Sequence, residues 1–237
     1  MELHERKPFK KQALLAFNIL PIGNQTKGKK QMKKVWNKEE KLQYEHALQS
    51  QGYQYIAGVD EVGRGPLAGP VVCAAVIMPL DDASIIEGID DSKKLSEKKR
   101  EMLAEEIKKR ALAYTIIEVS EEEIDKINIL EATKLGMKKA IESLSIQPEI
   151  VLTDGNMTID IAHKQQSVIH GDALSYSIGA ASIIAKVYRD HLMDDFAKIY
   201  PQYGFEKNKG YGTAAHIGAI KEYGLCKIHR RTFTKKF

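Results

Sequence analysis

The stretch GPVVCAAVIMP at 69–79 limits the fold more than any other part of the chain. Its apolar run, VVCAAVIM at 71–78, sits between Gly-Pro and Pro and suits a buried strand. No longer clean apolar run occurs in the 237 residues. A bilayer span takes about 20 residues, so no membrane association is expected. YQYIAGV (53–59) is rich in β-formers and close enough to be an antiparallel neighbour. Further strands are predicted at AYTIIEVS (113–120), EIVLTDG (149–155) and HKQQSVIHG (163–171). Between and after them lie helical patterns: 39–52, a helix from Ser96, one from Ser120 with Glu123 as capping partner, about 129–144, 175–201 ended by Pro201, and 213–224. The result is an α/β domain, a central mixed five-stranded sheet flanked by helices, with a C-terminal helical segment.

Charge is distributed unevenly. The net +4 combines +8 over residues 1–38, +5 over 227–237 and −9 over the rest. Basic ends can track a phosphate backbone, or simply be solvated tails. An acidic body instead places carboxylates on the surface or gathers some of them around cations. Within the N-terminal stretch, ALLAFNILPIG (13–23) resembles a leader only faintly, because Asn18 and Pro21 interrupt it. GNQTKGKK (23–30) has the spacing of a phosphate loop but carries Lys30 where Ser or Thr is needed, so it reads as a chance match. Two cysteines, Cys73 and Cys226, make neither a disulfide framework nor a four-ligand zinc site, and a reducing cytoplasm is expected. No heptad or exposed apolar patch is legible, which points to a monomer.

The chemistry is carried by acids at strand ends. Asp60 and Glu61 are expected to terminate the first strand, Asp154 the fourth, and Asp172 lies just past the fifth. In α/β sheets the functional crevice lies at the carboxyl ends of strands. If the first and fourth strands are neighbours, three chain segments deliver carboxylates to one place. Such charges need protons or cations, and hard oxygen ligands favour Mg²⁺ or Mn²⁺. Two ions about 4 Å apart would suit phosphodiester hydrolysis. Neighbouring residues on a regular strand point to opposite faces. The strand is therefore expected to end, twist or bulge at 60–61, or Glu61 to contribute through its backbone oxygen. The following loop, GRGPLAGP (63–70), lets bare peptide groups approach a ligand, and Arg64 can fork onto phosphate.

Seven blocks in order, GVDEVGRGPLAGPVV (58–72), DDSKKLS (90–96), INILEAT (127–133), LTDGN (152–156), GDALSYSIGAASIIAKVYRD (171–190), YPQYGFEKNKGYGT (200–213) and HRRTF (229–233), closely resemble the bacterial ribonuclease HII family, the type 2 ribonucleases H. The resemblance spans about Tyr55 to Phe233. It implies an RNase H-like catalytic domain over 51–237 with a helical substrate-binding segment, preceded by a basic extension over 1–50. It also implies an endonuclease acting on RNA–DNA hybrids and on duplex DNA with single embedded ribonucleotides, as in ribonucleotide excision repair. Cutting 5′ of the ribonucleotide leaves a 3′-hydroxyl and a 5′-phosphate. The family's catalytic, metal-binding acids fall on Asp60, Glu61, Asp154 and Asp172, and two Mn²⁺ or Mg²⁺ ions are implied. Its junction-reading residues fall on Gly63, Arg64, Gly65 and Tyr211, while Lys93 and Lys94 match a motif placed near phosphate. A tyrosine at 211 can stack on the sugar after the ribose and reject a second 2′-hydroxyl. Asn156 is expected to steady the turn after Asp154.

Three positions depart from the family pattern. Asn208 stands where many members have His, Ala173 where Ser is frequent, and Tyr176 in a usually small stretch. The alternative of another class is a non-catalytic nucleic-acid-binding module using the basic termini, which would need no clustered carboxylates.

Overall fold

The computed structural model describes residues 36–237. The basic stretch through residue 35, with its leader-like and phosphate-loop-like segments, lies outside the described residues. Helix α1 (Lys38–Gln49) begins at Asn37, whose side chain accepts from the Glu39 and Glu40 amides. Strands β1 (Ile56–Val62) and β2 (Val71–Ile77) follow, then α2 (Glu97–Arg110), β3 (Ala113–Val119), α3 (Glu121–Ile127) and α4 (Ile129–Glu142). After β4 (Ile150–Asp154) and β5 (Lys164–Val168) come the short α5 (Gly171–Leu174), the 24-residue α6 (Tyr176–Ile199), α7 (Phe205–Asn208) and α8 (Ala214–Tyr223). Ser96 and Ser120 cap α2 and α3 through the Lys99 and Glu123 amides, as their spacing predicted.

The five strands form one mixed sheet in the order β3-β2-β1-β4-β5. β1, β2 and β3 are antiparallel in turn, while β4 is parallel to β1 and β5 parallel to β4. The parallel pairings need crossovers: α2, α3 and α4 lie on the path from β1 to β4, whereas β4 reaches β5 through the helix-free segment 155–163.

β2 is buried at all seven positions because both sheet faces are covered. Val72, Ala74 and Val76 pack with Ala181 and Ile184 of α6 and with Leu103 and Ile107 of α2. Cys73, Ala75 and Ile77 pack with Met137, Ala140 and Ile141 of α4. A strand hydrophobic on both faces loses the alternating pattern of a half-exposed one. Helix α6 lies directly against β1: a Cβ on Gly58 would fall 2.1 Å from the Ser177 carbonyl carbon. The small residues at 179–182 are all buried, with Ala180 and Ala181 in the core.

α1 falls within the stretch expected as an extension, yet it belongs to the compact unit Trp36–Phe237. Leu42 is fully buried in the core shared by α2 and α6.

β1 is displaced from its expected position. It starts at Ile56, because the Gln54 and Tyr55 amides donate to the Glu149 carboxylate, 2.5 and 3.0 Å, and not to a strand partner. It continues to Val62, so Asp60 and Glu61 lie inside the strand and do not terminate it. The pairing with β2 is one-to-one from Ala57↔Ile77 to Val62↔Val72, so the expected bulge at 60–61 is not formed. The turn waits for Gly63, whose φ of +90° a side chain would resist.

Candidate active site

Parallel pairing of β1 with β4 places Val59 opposite Thr153, so Asp60, two residues before the end of β1, lies beside Asp154, the last residue of β4. Asp154 Oδ1 accepts from the Gly171 amide at 2.6 Å. That bond ties the start of α5, and hence Asp172, to the end of β4. The turn is steadied from this side and not by Asn156, which makes no such bond. Asp60 Oδ1 accepts from the Glu61 amide at 2.7 Å.

The carboxylates strain against one another. Burial pushes the Asp60 carboxyl well above its usual range, and the neighbouring charges of Glu61 and Asp154 push it further. Burial also raises Glu61, against the pull of Arg64, whose Nη1 stands 3.3 Å from Oε1. Asp172 is raised by burial, then by Asp154 and Asp91. Lys93 Nζ lies 3.6 Å from Asp172 Oδ2. Burial works against the Lys93 charge, but Asp172, Asp91, Asp60 and Asp154 outweigh it and raise its pKa. Lys94 pairs instead with Asp91 at 3.5 Å. The four acids thus share one electrostatic neighbourhood from four places in the fold: both faces of β1, the end of β4 and the first turn of α5.

Among the described residues, no three acid, histidine or cysteine side chains already enclose a single point. The donor set nevertheless fits hard divalent cations. It is all carboxylate, burial and neighbouring charge raise Asp60, Glu61 and Asp172, and the cations beside it, Arg64 and Lys93, are exposed side chains reaching in from the rim.

The loop after β1 and the loop before α8 meet beside this cluster. A Cβ on Gly65 would lie 3.7 Å from Tyr211 Cε1, so the ring faces the glycine across van der Waals distance. Arg64, Gly65 and Tyr211 are all exposed. The Leu67 amide donates to the Gly210 carbonyl at 2.8 Å, which joins the loops directly. Asn208 builds the turn under Tyr211: Oδ1 accepts from the Gly210 amide and Nδ2 donates to the Tyr203 carbonyl. Of the other two departures, Tyr176 has a structural role, while nothing in the structure explains alanine at 173, whose hydrogen bonds are made through the backbone. The Ala173 carbonyl accepts from Lys41 of α1. Tyr176 is fully buried, its hydroxyl accepts from the Ile86 amide at 2.9 Å, and burial pushes the phenol up to about 12.

Sequence reasoning missed three sets of residues. Arg189 and Arg230 are fully buried, although the basic C-terminal segment read as surface charge; Lys227, Arg231, Lys235 and Lys236 do remain exposed. Glu45 of α1 is buried and accepts from Ser175 Oγ and the Ser177 amide at the start of α6. His216 and His229 are buried against each other beneath Tyr211. The signal for Arg189 was its position within the otherwise core-forming run of α6.

The family model for Ribonuclease HII matches residues 57–236. The chain is 55% identical over 210 residues to a Ribonuclease HII of Geobacillus sp. strain WCH70, covering 89% of this chain and 74% of that protein. It is 53% identical over 197 residues to a Ribonuclease HII of Caldicellulosiruptor saccharolyticus, covering 83% of this chain and 95% of that protein. The fold is similar to the crystal structure of ribonuclease H2 from Pyrococcus horikoshii OT3, with a TM-score of 0.65 and 29% identity over 77% of this chain and 96% of that one. Among the described residues no helix is long and apolar enough to cross a membrane.

Proposed function

The chain belongs to the ribonuclease HII family and is accordingly a ribonuclease H, an endonucleolytic hydrolase; from that premise we propose that it cuts RNA in RNA–DNA hybrids and 5′ of single ribonucleotides in duplex DNA, leaving 3′-hydroxyl and 5′-phosphate ends. The observation that carries this reading is the meeting of the carboxylate cluster with the Gly65–Tyr211 contact at one end of the sheet. A separate binding module would need no such cluster.

Asp60, Glu61, Asp154 and Asp172 would hold two divalent ions, Mn²⁺ or Mg²⁺, which would activate the attacking water and stabilise the leaving oxygen. The protein's own groups do the positioning. Arg64 forks onto a phosphate near the cut, with Glu61 setting its approach in the free enzyme. Bare peptide donors of the 63–65 turn meet the ribose 2′-hydroxyl. Tyr211 stacks on the next sugar and leaves no room for a second 2′-hydroxyl. Lys93 is the more engaged of the two lysines, because it already faces Asp172; Lys94 contributes charge near the backbone. The substrates are RNA–DNA hybrid and ribonucleotide-containing DNA, met by a monomer in a reducing cytoplasm. The thiols Cys73 and Cys226 are unpaired.

One assay tests the reading. Duplex DNA with a single ribonucleotide is incubated with the enzyme plus Mn²⁺, Mg²⁺ or EDTA, beside the Asp60→Asn variant. Cleavage should need a divalent ion and Asp60, and should yield a 3′-hydroxyl 5′ of the ribonucleotide. Cutting that survives EDTA defeats the mechanism, and cutting confined to long RNA tracts defeats the substrate assignment.

A further inference from the structure

Among the described residues, Arg189 and Arg230 are the two largest side chains with no exposure at all. A buried guanidinium ordinarily faces a carboxylate, yet among the described residues neither makes a salt bridge. Their donors go to main-chain carbonyls. Arg230 reaches Gly63 O (2.6 Å), Arg64 O (2.9 Å) and Gly69 O (2.7 and 2.9 Å). Arg189 reaches Pro70 O (3.0 Å), Ala68 O (3.1 Å) and, on the other loop, Lys209 O (3.0 Å). Burial lowers Arg230 to about 9, with Arg189 adding to it, and lowers Arg189 to about 10; both stay charged at neutral pH.

These bonds fix which way the loop's peptides face. In a trans peptide the C=O of one residue and the N–H of the next point in opposite directions. Turning the Gly63 and Arg64 carbonyls inward to Arg230 therefore turns the Arg64 and Gly65 amides outward. Neither amide has a hydrogen-bond partner among the described residues, and both residues are exposed. Outward donors over two buried positive charges suit an oxygen-rich ligand. The bond to Lys209 O, two residues before Tyr211, holds the second loop against the first. Close packing confirms how tightly the clamp is seated: a Cβ on Gly63 would lie 2.2 Å from Arg189 Nε.

We propose that Arg189 and Arg230 are substrate-positioning residues, which clamp the 63–70 loop with its Arg64 and Gly65 amides presented to the ribose-phosphate and set Tyr211 at a fixed distance from them. The inference rests on the junction-reading role given above to Arg64, Gly65 and Tyr211. Both arginines act through the loops and touch no reacting atom.

Lysine keeps the charge but cannot reproduce the planar fork. Arg230→Lys and Arg189→Lys should raise KM for a single-ribonucleotide duplex about tenfold with kcat within about threefold, and narrow the preference for that duplex over an RNA–DNA hybrid. Met137→Ala, which loosens the core on the α4 face, should lower the melting temperature without moving the preference. Arg64→Ala and Tyr211→Ala are run alongside. If these two leave the preference unchanged, the junction reading itself fails. If they lower it while both folded lysine variants match wild type, only the clamp fails, as it does if Met137→Ala shifts the preference equally. Should the lysine variants not fold, amide exchange decides. In Asp60→Asn protein, the Arg64 and Gly65 amides should exchange freely alone and be protected by the uncut duplex. Unaltered exchange overturns the outward-donor geometry.

Discussion

The two halves of the site are built on opposite principles. In the carboxylate cluster, burial and neighbouring charge raise Asp60, Glu61 and Asp172, and the nearest cations approach from solvent on long side chains. A few residues away, the 63–70 and 208–211 loops have their carbonyls satisfied by two buried guanidiniums and their backbones joined by direct bonds. The first region stores repulsion that incoming cations would relieve. The second has its inward carbonyls satisfied and is preorganised for recognition, with the Arg64 and Gly65 amides left for a ligand. Stability and activity should therefore respond oppositely in the two places.

The largest effect is expected at the carboxylate cluster. Asp60→Asn removes a charge that burial, Glu61 and Asp154 all disfavour. Activity should fall by about a thousandfold or more, as for loss of a principal electrostatic group, while the melting temperature stays level or rises. Cleavage rates and thermal unfolding of one preparation check both halves. An unfolded or markedly less stable Asp60→Asn protein would show that Asp60 is a structural group, and the contrast between the regions would disappear.

Much of this was legible in the sequence because it is local. The burial of β2 and the caps at Ser96 and Ser120 were legible in runs and breakers; the meeting of Asp60 with Asp154 was legible only on the condition that the first and fourth strands are neighbours, which the parallel pairing meets. The limits of β1 were not, since they depend on Glu149 taking the Gln54 and Tyr55 amides from 94 or 95 residues away. Arg230 was illegible for the same reason. An arginine in a basic tail reads as solvated until the loop whose carbonyls it satisfies, some 160 residues earlier in the chain, is folded over it.

Helix α1 sharpens the contrast from outside both regions. Glu45 accepts from Ser175 Oγ at 2.6 Å and the Ser177 amide at 2.9 Å, at the positive end of α6. Lys41 donates to the Ala173 carbonyl beside Asp172 and pairs with Asp90 at 2.6 Å. The brace thus fixes α5 relative to the strand ends. Glu45→Ala should cost about 3 kcal/mol by leaving a cavity and unpaired donors. It should also lower kcat several-fold by freeing Asp172, with KM for the duplex little changed. Burial raises the Glu45 pKa, so the neutral Glu45→Gln should recover most of the loss. A KM effect as large as the kcat effect would place the damage in the reading loops instead.

The smallest predicted effect separates the regions by the sign of their response to acid. His216 Nδ1 donates to the Tyr211 carbonyl at 2.9 Å, which leaves its Nε2 as acceptor for His229 Nε2–H at 3.0 Å. His229 Nδ1 then accepts from the Cys226 amide at 2.9 Å. Every ring nitrogen is assigned only while both rings are neutral. Burial, then the neighbouring His216, lowers His229 to about 4, and burial lowers His216. A folded pKa below the unfolded one means that stability present above pH 6.5 is lost as pH falls toward 4, on the order of 2 kcal/mol. Asp60 works the other way. Its raised pKa means that the folded state takes up a proton more readily than the unfolded chain, so acid relieves the carboxylate cluster. Urea unfolding between pH 7 and 4.5 should show a steeper loss of stability in Asp60→Asn than in wild type, and a flatter one in His229→Asn. Parallel slopes in all three proteins would mean that neither region titrates as its surroundings require.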